Sequence, residues 1–146
     1  MITFDEFKKR FEEDEEKLPL LTLDEFFEDN EAEDSIAPNE IDEGRPTLAE
    51  MYNYFNDLES MDGIDWIRVE LHDDTYLDDE EEILELAGES ILIATSLSEE
   101  VIVDKVHSYW LCADGVSSFD YEELSDYYTN IPELPEGSNF YEICWD

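Results

Sequence analysis

Two histidines, two cysteines and 44 carboxylates are the side chains of this chain that could do chemistry. His72 and His107 stand 35 residues apart and belong to no nucleophile pattern. Cys112 follows His107 by five residues, but a reactive thiolate needs positive surroundings, and these are strongly negative. The chain has no glycine-rich phosphate loop, no GxSxG and no HExxH. Carboxylate pairs are so numerous that no single pair marks a general acid. The expectation is a protein that is not an enzyme. The run "HDDTYLDDEEE" at 72–82 carries enough oxygen ligands for Ca²⁺ or Mg²⁺. It lacks the glycine at loop position six and the ligand spacing of an EF-hand. Cys112 and Cys144 have no metal-site spacing either, and they read as two buried free thiols in a reducing cytosol. Neither a metal nor a cofactor is expected.

What remains is charge. The 146 residues hold 44 acids against 7 bases, a formal charge of −37. A small soluble domain usually carries a net charge of magnitude ~2–8. Hydrophobic residues make up 42% of the chain and aromatics 13%, which is too apolar for a disordered acidic tail. Residues 1–46, 47–97 and 98–146 carry net charges of −12, −14 and −11, so the acids decorate the whole body instead of a tail. Such a chain folds against its own repulsion. Nucleic acid and anionic membranes would both be repelled. The partner this composition points to is a basic protein: a nucleic-acid-binding effector, a nuclease or a toxin.

Three rows of acids are the candidate partner-binding residues. Glu12, Glu13, Glu15 and Glu16 close the first helix, Asp24, Glu25, Glu28 and Asp29 lie on the second, and Asp73, Asp74, Asp78, Asp79, Glu80, Glu81 and Glu82 form a cluster. Duplex DNA presents one charge per roughly 1.7 Å of axis. Carboxylates three or four apart on a helix have Cβ atoms roughly 5–6 Å apart, and those two apart on a strand ~6.6 Å. Both spacings approach that of neighbouring phosphates along one strand. Trp66, Tyr76, Tyr127 and Tyr128 lie near these rows and are the aromatics that could imitate bases or anchor an interface. For any one row, a solvated polar face is the competing explanation.

The elements that must position these rows can be read from capping and periodicity. "TFDEF", "TLDEF" and "TLAEM" each spell Thr-x-x-Glu, predicting capping boxes at Thr3, Thr22 and Thr47 with Glu6, Glu25 and Glu50. Helix one buries Phe4, Phe7 and Phe11, with Leu18 on the same face. Helix two buries Leu23, Phe26 and Phe27. Helix three carries Leu48, Met51, Tyr52, Phe55 and Leu58 at helical spacing and ends near Gly63. Lys9 and Arg10 can pair with Asp5 and Glu6 one turn earlier. "IDWIRVEL" alternates, with Ile67, Val69 and Leu71 on one side and Trp66, Arg68 and Glu70 on the other. "SILIATSL" reads as a central strand, "EILELAGES" as its hairpin partner turning at Gly88, and "NFYEICWD" as a last strand. Residues 101–112 fit a helix or a strand, and Asp120 opens a short helix. The expected fold is α+β, a single domain of N-terminal helices packed on a mostly antiparallel sheet. The helical part covers about 1–62, the sheet-rich part about 63–146, and an acidic loop about 29–46.

In size, charge and lack of catalytic motifs, the whole chain resembles the small acidic inhibitors of phages and mobile elements, of the anti-CRISPR and antirestriction DNA-mimic type. The resemblance is one of overall character and assigns no residue a role. It implies binding across the nucleic-acid-binding groove of a Cas effector such as Cas9. An immunity protein that neutralises a basic toxin, such as a nuclease, is the alternative. A halophile's housekeeping domain, hydrated by its acids, is a third. No signal peptide or apolar run near ~18 residues is visible, and the expected location is cytoplasmic.

Overall fold

Threonine oxygens open the three N-terminal helices. The computed structural model describes residues 1–13, 15–37 and 44–145, so part of the expected 29–46 acidic loop lies outside the described residues. At α2 (Leu23–Phe27) and α3 (Leu48–Glu59) the capping boxes are complete. Thr22 Oγ1 accepts from Glu25 N at 3.1 Å while Glu25 Oε1 accepts from Thr22 N at 3.0 Å. Thr47 and Glu50 repeat the exchange at 3.2 and 3.3 Å. At α1 (Phe4–Glu13) Thr3 caps Glu6 N, but Glu6 Oε1 accepts from Arg10 Nε at 3.0 Å. A cation one turn on competes for the same carboxylate, so only half of the third box is seen here.

The helices pack through aromatic contacts. Phe27 lies 5.7 Å from Tyr52 and 6.5 Å from Phe55 between ring centroids, and Phe7 stacks on Phe11. Leu18 does not extend α1. It begins β1 (Leu18–Pro19), because Pro19 cannot continue a helix and the preceding Glu15 and Glu16 take positive φ.

The sheet is built from β2 (Ile64–Leu71), β5 (Gly88–Thr95), β6 (Gly115–Ser118) and β8 (Asn139–Cys144), in the order β2-β5-β8-β6 and antiparallel throughout. Its register aligns Ile67 with Ile93 and Tyr141, and Val69 with Ile91 and Ile143. With Leu71, these residues form the face under α2 and α3. The opposite face, with Trp66, Leu92, Ala94 and Phe140, is not left to solvent. Leu20, Leu124, Phe119, Tyr121 and Leu134 cover it. Burial on both faces explains why β5 reads as a continuous apolar run.

Between β2 and β5 the chain makes a separate ribbon, β3 (Tyr76–Asp78) paired with β4 (Ile83–Glu85). This corrects the expected hairpin: residues 83–85 pair back to 76–78, and the antiparallel partners of β5 are β2 and β8. Gly88 is not a turn. It lies where Phe26 and Ile36 press on the backbone, and an added Cβ would come 3.1 Å from Phe26 Cζ and 3.2 Å from Ile36 Cγ1.

The ambiguous stretch is helical, with Ser98 capping α4 (Glu99–Lys105) and α5 (Ser108–Leu111) following. Asp120 opens a 3-10 turn over Tyr121–Glu123 that leads into α6 (Leu124–Tyr127). The expected helix over these residues stops early, because Tyr128–Thr129 forms β7 and pairs in parallel with β1. Cys112 and Cys144 form no disulfide and are partly exposed, and so are not the buried thiols expected. Among the described residues, no helix is long and apolar enough to cross a membrane.

Candidate anionic interface

The β3–β4 ribbon is the hub on which the three acid rows meet. Its turn is shaped locally: Asp78 Oδ1 accepts from Glu80 N at 2.9 Å and from Glu81 N at 3.2 Å, and Glu82 takes φ +53°. Asp79, Glu80, Glu81 and Glu82 are exposed at the tip, while Asp78 is half-buried. Asp78 is thus committed to the turn that presents the other four.

Three contacts join the rows. Lys8 Nζ lies 3.1 Å from Asp79 Oδ1 and 4.0 Å from Glu12 Oε1, holding α1 beside the ribbon tip. Asp79, by hydrogen bond and by charge, raises the Lys8 ammonium above its ordinary value. One cleft of about 540 Å³ is lined by Asp29, Glu31 and Asp34 past α2 and by Asp74 and Glu85 beside the ribbon. A second, of about 350 Å³, brings Glu16, Asp73, Glu89 and Asp126 together with Lys17, His72, Tyr127 and Tyr128. Each cleft therefore gathers acids distant in sequence.

The structure revises several placements. Glu12 and Glu13 lie on α1, but Glu15 and Glu16 lie beyond its end at φ +54° and +60°. Glu28 caps the end of α2, and Asp29 lies past it at φ +60°. Glu25 does not belong to an open row. Its Oε2 lies 2.6 Å from Arg10 Nη2. Burial works to raise the Glu25 carboxyl, but Arg10 and the Thr22 amide outweigh it and hold it below the usual carboxylate range. Asp24 is exposed and accepts from the Tyr52 hydroxyl. Asp74 lies against His72 Nδ1 at 3.4 Å.

Two of the four expected surface aromatics are structural. Trp66 is 7% exposed, and its indole N–H donates to the Glu133 carbonyl at 2.9 Å. Tyr128 is half-buried and donates to Glu70. Tyr76 and Tyr127 are exposed. Glu31, Asp34, Glu85, Glu89 and Asp126 join the region without having been singled out. Glu31 and Asp34 fall in the expected acidic loop, while Glu85, Glu89 and Asp126 are isolated in sequence, and only the clefts connect them to the runs.

The arginines explain why so little positive charge offsets this surface. Arg10 bridges Glu6 and Glu25, and Glu25 foremost raises its pKa. Arg45 donates to the carbonyls of Ile36 and Glu33 at 2.7 and 2.9 Å. Arg68 bonds the Ile67 carbonyl at 2.8 Å, reaches Glu59 at 3.7 Å and lies over the Trp66 ring. All three hold the fold together. Lys9, for which an ion pair with Asp5 was expected, is exposed.

Among the described residues, no group of three or more His, Cys, Asp or Glu side chains is placed to hold a metal ion. The arrangement defines an α+β protein whose recognisable surface feature is a convergent field of carboxylates. By sequence it belongs to the family described as "Uncharacterized protein YfbO family", which matches residues 2–143. No curated protein and no solved structure matches the chain.

Proposed function

We propose that this protein is a folded polyanion that occupies the basic nucleic-acid-binding cleft of a protein partner and blocks it by competition. The observation that carries the reading is that Lys8 ties Glu12 of α1 to Asp79 at the ribbon tip, while one cleft gathers acids past α2 with Glu85 of the ribbon and a second gathers Glu16 with Asp73, Glu89 and Asp126. Opposite fields would speed the encounter, and counterions released from the partner's cleft would make affinity fall with salt. A Cas9-type effector, inhibited in the manner of an anti-CRISPR protein, is the finer form of the proposal. A toxin neutralised by an immunity protein is the alternative target.

The test is capture of host proteins on the immobilised chain, followed by elution with duplex DNA or RNA. A retained basic protein that nucleic acid releases supports the proposal. Neutralising Asp79, Glu80, Glu81 and Glu82 while keeping Asp78 should weaken that capture and flatten its salt dependence. Capture that is indifferent to nucleic acid would favour the immunity alternative and overturn mimicry.

A further inference from the structure

Four of the eight exposed large apolar side chains among the described residues fall between 101 and 110: Val101, Val103, Tyr109 and Trp110. Single exposed apolar side chains are ordinary, and Val101 and Val103, two apart on α4, face different ways; Tyr109 and Trp110 are the neighbouring pair, side by side on α5. Tyr109 is 99% exposed and Trp110 38% exposed, both on α5. The corner that presents them is fixed. The Tyr54 hydroxyl donates to the Lys105 carbonyl at 2.5 Å and accepts from the His107 amide at 3.0 Å. The Tyr54 ring also lies 5.2 Å from Trp110 and 5.6 Å from His107 between centroids. One phenol on α3 thus holds the α4–α5 junction and backs the indole. Among the described residues, three acids lie around this corner against one base, Lys105, in the last turn of α4. Glu50 and Asp57 sit one turn either side of Tyr54 on α3, Asp104 lies on α4, and all three are exposed.

We infer that the α5 face is a docking site for a basic protein surface that presents arginine beside an apolar side chain. Charge complementarity selects this occupant. A second copy would bring another −37, and nucleic acid would be repelled. Arginine suits the site because its planar guanidinium stacks on Tyr and Trp faces while bonding carboxylates in a fork. Trp110, held against the Tyr54 ring, loses little freedom on binding, which favours affinity. The inference rests on the polyanion reading and adds to it a contact away from the ribbon.

The test titrates a synthetic helical peptide with arginine and leucine on one face against polylysine of equal charge. Trp110 is the reporter, since Trp66 and Trp145 are each 7% exposed. The arginine–leucine peptide should shift and quench its emission. Tyr109→Ala, which removes a side chain without contacts, should weaken that peptide about tenfold and leave polylysine unchanged. Trp110→Leu, followed by peptide anisotropy, should do the same. Equal affinity for both variants and the wild type, with loss on ribbon neutralisation, would overturn the α5 site and leave the polyanion reading standing. No binding of either peptide at physiological salt would overturn both. Self-association abolished by Tyr109→Ala would assign the face to a second copy and overturn the inference.

Discussion

The Tyr128 hydroxyl donates to Glu70 Oε1 at 2.8 Å, while Ser90 Oγ donates to Oε2 of the same carboxylate at 2.8 Å. Glu70 lies on the sheet face opposite α2 and α3, 7% exposed. Burial raises its pKa above the ordinary carboxylate value, and the two hydroxyl donors offset only part of that rise. Burial and the neighbouring carboxylate push Tyr128 upward too, so the phenol stays protonated and remains a donor.

This pair makes stability depend on pH. A carboxyl whose folded pKa lies above its unfolded value favours folding fully below the unfolded value, and the contribution is lost as pH rises through the folded one. Glu70→Gln keeps an acceptor and removes the charge. Urea unfolding of this variant should show a smaller loss of stability than the wild type as pH rises from the ordinary carboxylate range towards neutrality.

Arg10 and Glu25 have the opposite sign. The Glu25 carboxyl is held low, so its contribution is present above the unfolded value and lost as pH falls through the folded one. Both side chains are less than a quarter exposed. Arg10→Ala leaves Glu25 without its cation and should cost about 1–3 kcal/mol at neutral pH. The difference from wild type should shrink near pH 3, as measured by denaturant melts.

Tyr54→Phe removes one hydroxyl and leaves the Lys105 carbonyl and His107 amide without it. Thermal melts should show a loss of about 1–2 kcal/mol, with faster hydrogen exchange at the α4–α5 corner.

Asp78 should matter through its acceptor oxygen and not its charge. Asp78→Asn retains an oxygen for the Glu80 and Glu81 amides and should change stability little. Asp78→Ala should cost about 1 kcal/mol, and amide chemical shifts across 78–82 should report the loosened turn.

Salt should stabilise the fold moderately, by screening repulsion among the exposed acids. The melting temperature should rise with NaCl while the protein stays folded at low ionic strength. Unfolding without multimolar salt would favour the halophile reading over both inhibitor readings.

Local chemistry carried much of the fold into view before any coordinates. Thr22 with Glu25 and Thr47 with Glu50 are three residues apart, and the capping exchange they form is equally local. The alternation of 64–71 and the apolar run of 90–97 correctly identify β2 and the central β5. The same local reading failed where partners compete at a distance. Residues 83–85 could pair forward with 90–97 or backward with 76–78. The Asp78 turn, together with the pairing of β2 and β5, selects the second.

By itself the sequence determined the quantity of negative charge and its even spread. Tertiary structure alone decided which acids face one another. Glu25 is taken by an arginine fifteen residues away, Asp79 by a lysine from α1, and Tyr128 by Glu70, 58 residues away in sequence. Net charge is a sum over residues and needs no coordinates. A surface is a matter of distances, and distances between remote residues exist only once the core has packed.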